Sequence, residues 1–393
     1  MIGLLLGGML LFSHTSRTLT TQLEIKDQLI DNAYSGIAYA EANFKEIKPG
    51  QVLKMRLFNE GIDSVSISKE SWGAFTILRS TATHKNVKFS KISLSGLISE
   101  DDKSLYLPDY GRPLSVAGQT RLENNCYLPK TGVKRAYIEG KNYVGSKLVY
   151  GGQHTSTNAL PEIDPVILDE VTKLNGQFQK WEQRDSIKNS FANPGLHFID
   201  DNFLSLEDEV VEGHVILEAR DSIFIGAQAE LSDIIIKAPV VYIESGFEGN
   251  LQIIATEKIT LENNVLLRYP SVLSLIETTF PKTQNAQISI GKQSQVLGTV
   301  LALSQVPNFR KPVQLSIAEE AEVDGLVYCK GKTELKGTIN GTIYTEKFYL
   351  KTLASSYENH LLDATIKNDL PKEFVTVDLF RKSKNLTTIA WLN

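Results

Sequence analysis

Seven aliphatic residues, Leu206, Ile225, Ile243, Leu261, Ile290, Ile317 and Leu335, each end a short alternating apolar run, and the intervals between them are 19, 18, 18, 29, 27 and 18 residues. Within the runs the apolar residues stand two apart, as in Ile223-Phe224-Ile225, Val241-Tyr242-Ile243 and Ile288-Ser289-Ile290. That is the period of a strand with one buried face. A strand this short cannot bury its apolar side alone. A repeat near 18 residues therefore predicts successive turns of chain stacked into a parallel β-helix, with the aliphatic ladder as its core seam. Gly249, Gly298, Gly325, Gly337 and Gly341 fall between the runs, where a tight bend needs a residue without a Cβ. The two long intervals contain Pro270 with Pro281 and Pro307 with Pro312, and read as loops bulging from two turns. In the first, Arg268 to Thr283, the residues Val272, Leu273, Leu275, Ile276 and Phe280 are too apolar for a free loop, so part of it is expected to pair as a strand with the next turn or to cover an apolar flank.

The N-terminus constrains the chain in a different way. Ile2 to Phe12, IGLLLGGMLLF, is an uncharged apolar run of 11 residues, whereas a membrane-spanning helix needs about 20. Three readings are open: the outer half of a membrane helix whose remainder lies upstream, a divergent signal peptide without a basic leader, or a buried core segment. From Thr18 to Ile47, Leu19, Leu23, Ile30, Ala33, Tyr34, Ile37, Ala40 and Phe44 fall mostly three or four apart, the pattern of one helix face. Neither Pro nor Gly interrupts that stretch before Gly36, so apolar run and amphipathic helix are expected to form one rod.

This rod resembles the N-terminal helix of type IV pilins and pseudopilins, whose first half sits in the membrane or filament core and whose second half packs on a β-rich head. Gly8-Met9 is similar to the prepilin cleavage junction, but the fifth position of a helix starting at Met9 is Ser13, where that family typically carries glutamate. The stretch Gly213 to Lys347 resembles the bactofilins, polymer-forming β-helical proteins with a Val/Ile ladder and glycine corners, which implies end-to-end assembly and scaffolding. The hexapeptide-repeat acyltransferases also use an 18-residue turn. They run three hexapeptides per turn with a catalytic histidine, whereas here one hexapeptide per turn is legible and no histidine lies between His214 and His360.

The remaining segments complete a mainly β chain. Residues 1–47 form the N-terminal helix and membrane anchor. Residues 48–112 form a small β module, with alternation at Val65-Ser66-Ile67, Phe75-Thr76-Ile77 and Val87-Lys88-Phe89. Residues 113–150 carry the first β-turns of the ladder. An insertion, 151–200, holds a helix over 165–181, capped by Asp164 with Pro165 in its first turn and a stripe of Ile167, Val171, Leu174, Phe178 and Trp181. Such a helix would cover an end or flank of the ladder and protect its edge. The main β-helix occupies 201–350 and a C-terminal cap 351–393.

Chemistry is sparse along the chain. Lys and Arg total 41 against 46 Asp and Glu, a net charge of -5 with the signs interspersed, which offers no basic stripe for nucleic acid. Cys126 and Cys329 stand alone and read as unpaired and buried. The histidines at 14, 84, 154, 197, 214 and 360 are scattered, and neither a Gly-x-Ser-x-Gly elbow nor a phosphate-binding loop occurs. Acidic clusters at Asp101-Asp102, Asp200-Asp201 and Glu207 to Glu209 do not recur from turn to turn, and read as corners. His154, between Gly151-Gly152 and a run of hydroxyl residues, is the best histidine for a ligand site, set against a plain polar loop. Lys134-Arg135 would serve acidic glycans if not simply a solvated pair, and Lys147 adds little to it. No catalytic, cofactor or metal residue is assigned. The expectation is a membrane-tethered structural or adhesive envelope protein, with the β-helix facing the periplasm or exterior in a pilus-like or secretion assembly. Its expected partners are the membrane, further copies or other envelope proteins, and polysaccharide. The rivals are a polysaccharide lyase or hydrolase and a cytoplasmic bactofilin-like scaffold.

Overall fold

The computed structural model describes residues 2–58, 64–98, 102–182, 184–200, 202–278, 286–306, 312–380 and 386–392. It is mainly β, with two helices among those residues. The chain divides into two compact units, Met1–Gly96 with Lys384–Asn393, and Leu97–Ser383.

In the first unit, α1 (Ile2–Ala42) is one uninterrupted helix of 41 residues. Its buried face is Leu29, Asn32, Ala33, Gly36, Ile37 and Ala40, a narrow stripe of mostly small residues at helical spacing. Gly36 marks the closest approach, since a Cβ there would stand 2.1 Å from Ser80 Oγ and 2.8 Å from Val65 Cγ1. Opposite the helix lies an antiparallel meander of Val52–Met55, Ser64–Trp72, Phe75–His84 and Val87–Ile98. The C-terminal strand Thr387–Leu392 adds to Val87–Ile98. Two contacts tie that last strand to the helix: Leu386 donates its N–H to the Glu41 carbonyl at 3.1 Å, and Thr388 Oγ1 donates to Glu41 Oε1 at 2.6 Å. The helical stripe expected from Leu19 begins only at Leu29. Leu19 and Leu23 are each 61% exposed, and Tyr34 lies off the buried face, edge-on to Trp391.

The second unit is built from parallel strands in three stacks around one core. In the first stack Phe203–Leu206, Ser222–Ile225, 240–243, 258–261, Gln287–Ile290, Val313–Ile317 and 332–335 follow one another in register. Register places Leu206, Ile225, Ile243, Leu261, Ile290, Ile317 and Leu335 in one column, each at most 2% exposed. The second stack includes Leu196–Asp200, Val215–Ala219, 234–238 and 251–255, then 271–277, which pairs with 298–304. The apolar stretch of the first long interval is thus strand over 272–276, and Phe280 lies outside the described residues. The third stack runs from Ser186–Asn189 through Val210–Gly213 to 322–325 and 338–340. The linked strands close on themselves in a barrel-like arrangement. The aliphatic side chains of all three stacks meet in one continuous core.

Three expectations are corrected. The helix foreseen over 165–181 stops early. α2 is Pro165–Thr172, with Asp164 accepting from the Val166 N–H as cap, and Gln177–Lys180 is a strand paired with 196–199. Gly176 follows the helix, and the free edge of Leu196–Asp200 supplies hydrogen bonds that a longer helix would leave unused. The strands from 103 to 155 do not precede the main ladder. Lys103–Tyr106 pairs with 343–344, Asn125–Leu128 stacks on Lys103–Tyr106, and Gln153–Thr155 on Asn125–Leu128. Early chain therefore extends the late end of the ladder. The segment expected as a C-terminal cap is distributed: Thr365–Lys367 inserts between 338–340 and Arg121–Leu122, Val375–Thr376 pairs with 97–98, and Thr387–Leu392 belongs to the first unit.

That order leaves Gln153–Thr155 at one end of the second stack and Gln177–Lys180 at the other, so the chain between them must return along the flank. Twelve strands are stacked there, which at about 4.8 Å each puts the ends about 53 Å apart. Residues 156–176, with α2 helical, reach about 55 Å, so this strap runs with little slack. Tyr106 Oη bonds Thr157 Oγ1 at 2.7 Å, and Tyr328 Oη donates to the Pro161 carbonyl at 3.0 Å. The C-terminal segment lies alongside: Asp164 N–H donates to the Leu379 carbonyl at 2.9 Å, and the Phe380 ring sits 5.2 Å from that of Tyr344. Beneath these contacts the outward side chains Tyr106, Tyr328 and Tyr344 are buried, whereas His154 and Phe178 at the two ends of the stack are exposed.

Candidate functional site

His154 is exposed on the terminal strand Gln153–Thr155. Its ring stacks 4.8 Å from Tyr127 at 25°, and Nε2 lies 3.4 Å from Asn125 Oδ1. Register continues the column through Tyr127, Tyr106, Tyr344 and Tyr328. The residues flanking His154 have structural partners. A Cβ on Gly151 would stand 2.1 Å from the Asn124 carbonyl oxygen, so this glycine permits close approach of the two backbone segments. Thr157 bonds Tyr106, as above. The histidine thus ends an aromatic column, with Asn125 as its polar neighbour. Lys134, Arg135 and Lys147 are exposed.

The acidic clusters build corners. Asp102 accepts from Asn125 Nδ2, and Asp200 Oδ1 accepts from the Asn202 N–H at 2.9 Å. Glu209 is 2% exposed, and its Oε2 accepts from the backbone N–H groups of Glu207 and Asp208 at 2.7 and 3.2 Å. Asp101 and Asp201 lie outside the described residues. Cys126 and Cys329 are free and buried, and burial pushes their thiols up to about 11 and about 12. Among the described residues no group of three His, Cys, Asp or Glu is arranged to hold a metal ion.

One charged cluster was not anticipated from the residue pattern. His197, 2% exposed, has Nε2 at 2.8 Å from Glu218 Oε2, while Lys237 Nζ lies 3.0 Å from Glu218 Oε1. The Phe178 ring covers the imidazole at 4.7 Å. The bond from His197 holds the Glu218 carboxyl below its usual value against the opposing effect of burial, and Lys237 assists. The available signal was the 19-residue step from Glu218 to Lys237, which are direct register partners. No described hydroxyl or thiol is bonded to His197, so the arrangement is an ion-paired brace near one end of the ladder and lacks a nucleophile.

The three stacks differ in what their outward faces carry. The third is charged and paired: Lys188 with Glu212, Arg268 with Glu248, and Lys367 with Asp369. Asp324 there accepts from Gln295 at 2.9 Å and from Asn340 at 2.8 Å. The second is covered by the strap at Tyr106 and Tyr328. The first presents a half-exposed polar, aromatic and charged surface, with Phe224 and Tyr242 stacked 5.6 Å apart at 12° and with Lys258, Lys332 and Glu334 in the same two rows.

No protein-family model, curated protein or solved structure matches this chain.

Proposed function

We propose that the protein is a structural or adhesive component of a cell envelope, tethered through the start of α1. The observation that carries this reading is the uncovered part of that helix. Residues 2–28 extend about 40 Å with no buried position described, and they begin with Ile2, Leu5, Leu6, Met9, Leu10, Leu11 and Phe12, each at least 57% exposed. An apolar helix surface of this kind needs a membrane or a bundle of similar helices to cover it. No helix among the described residues is long and apolar enough to cross a membrane by itself, so the anchor is read as partial insertion or as packing within a pilus-like or secretion assembly. The pilin-like reading is supported by the division of labour within α1: an uncovered apolar start, then a second half lying on an antiparallel sheet.

The body is inferred to be a β-helix solenoid. In-register parallel pairing repeats at 18 or 19 residues, or at 27 to 29 where a loop intervenes. A bactofilin-like role in scaffolding by end-to-end assembly stays open on that basis, as does action on polysaccharide.

The test is export. In spheroplasts of cells making the full reading frame, added protease should degrade the ladder while a cytoplasmic marker survives, and deletion of residues 2–12 should release the protein from the membrane fraction. Protection of the ladder from protease would replace the envelope reading with a cytoplasmic scaffold.

A further inference from the structure

We propose that the two ends of the parallel ladder are complementary, so that the start of one copy docks on the far end of another and the second unit assembles head to tail. The partner is a second copy of this chain, and the proposal rests on the solenoid reading of the body, not on export. At the start, Gln177–Lys180, Ser186–Asn189 and Phe203–Leu206 each pair on one side, with 196–199, 210–213 and 222–225. At the far end, Val133–Arg135 pairs with 114–116 and Gln153–Thr155 with 126–128. Among the described residues no strand lies on the outer side of any of these five. An open row of N–H and C=O groups is a template for another strand. Gln177–Lys180 and Gln153–Thr155 end the same stack and run in the same direction, so a head-to-tail join keeps the strands parallel, as they are within one copy.

Exposed apolar surface is concentrated at the same places. Seven large apolar side chains are exposed among the described residues of this unit, and four of them lie on its terminal turns. Phe178 and Phe203, 68% and 54% exposed, are at the start; Tyr137 and Val144, 67% and 71% exposed, are at the far end. Apolar groups gathered in this way mark a contact site, where single scattered ones would not.

Charge decides which end meets which. Residues 173–209, at the start, hold seven Asp or Glu against four Lys or Arg, whereas residues 121–155, at the far end, hold six Lys or Arg against two Glu. Part of this is neutralised locally, by Arg184 with Glu182, Lys188 with Glu212, Arg121 with Glu123 and Lys141 with Asp363. Among the described residues, Asp185, Asp200, Glu207 and Asp208 at the start stand in no ion pair, and neither do the exposed Lys130, Lys134, Arg135 and Lys147 at the far end. Lys173, Lys180 and Glu139 are the minority charges. Two like ends would set like charge against like, whereas unlike ends attract and steer the approach. An anionic partner would answer the basic end alone and leave the acidic start uncovered. A second copy satisfies both. The ends lie about 53 Å apart at about 4.8 Å per strand, so the contact is heterologous and adds copies in a line.

The experiment is sedimentation velocity of the full chain over a range of concentration, in a mild detergent that occupies the start of α1. At low salt the protein should sediment faster as its concentration rises, and should return towards single chains in 1 M salt, where charges are screened beyond about 3 Å. Lys134→Glu with Arg135→Glu at the far end, and separately Asp185→Lys with Asp208→Lys at the start, should each weaken association about tenfold. Unchanged melting temperatures in both separate a lost contact from a lost fold. An equal mixture of the two variants should associate again, because each then meets an end of opposite charge. A protected ladder in the spheroplast assay, with association intact, overturns the envelope reading and supports this one. Single chains at every concentration, association that both variants retain, or a mixture that stays apart would each overturn the proposal.

Discussion

Gly325 offers the sharpest test of the stacking, because the three glycines aligned there tolerate no side chain. Gly298, Gly325 and Gly341 are register partners with φ of 147°, 146° and 142°. A Cβ on Gly325 would stand 1.9 Å from the Gly298 carbonyl oxygen, where real Cβ contacts begin near 3.0 Å. Holding an alanine at this φ costs about 1–3 kcal/mol by itself. Relieving the clash would require the neighbouring strand to retreat by more than an ångström, loosening the ladder bonds on either side, at about 1 kcal/mol each. Together these predict a loss of about 3–5 kcal/mol for Gly325→Ala, a fall in melting temperature of roughly 6–12 °C for a unit of this size. The control is Gly246→Ala. That glycine also has positive φ, 87°, but a Cβ there meets nothing within 4 Å, so it should cost about 1 kcal/mol and only a few degrees. Both variants are measured in the full chain by circular dichroism during heating. If the two melt within about 2 °C of each other, carbonyl contact between paired strands is not what excludes a side chain at Gly325, and the register argument fails.

Two further outcomes follow from the buried chemistry. Glu218 has its carboxyl lowered, so its stabilising effect is fully present above the ordinary value of 4.5 and is lost as pH falls through the lower folded value. Glu218→Gln should therefore be less stable than the parent at neutral pH by urea unfolding, with the gap closing below pH 4.5; a gap that persists in acid would remove His197 and Lys237 as its cause. Cys126 and Cys329 should resist an aromatic disulfide reagent near pH 8 and react together on unfolding, because burial raises both thiols. Rapid labelling of either in the native protein would contradict its placement in the core.

Much of the ladder was legible along the chain because burial of alternate aliphatic residues is a local pattern. A strand such as Ile288-Ser289-Ile290 declares which face is buried, and only a one-in-two register satisfies it. The continuity of α1 was legible for the same reason, as was the strand at 272–276. The start of the helix's buried face was not, since Leu19 and Leu29 carry the same apolar signal and only the extent of the sheet decides which is covered. The charged brace depended on register: His197, Glu218 and Lys237 meet because their strands are neighbours, and only the 19-residue step from Glu218 to Lys237 hinted at it along the chain.

Sequence patterning thus determined the strands, their inward faces and the helix. Tertiary structure alone decided the order of stacking: 103–106 on 343–344, 153–155 at the far end, a strap returning to 177, and 387–392 beside α1. The physical reason is that an open strand edge bonds whichever backbone completes its row of N–H and C=O groups. Those groups are identical in every residue except proline, so the choice of neighbour is made by the folded chain as a whole and leaves little mark on the side chains that form it.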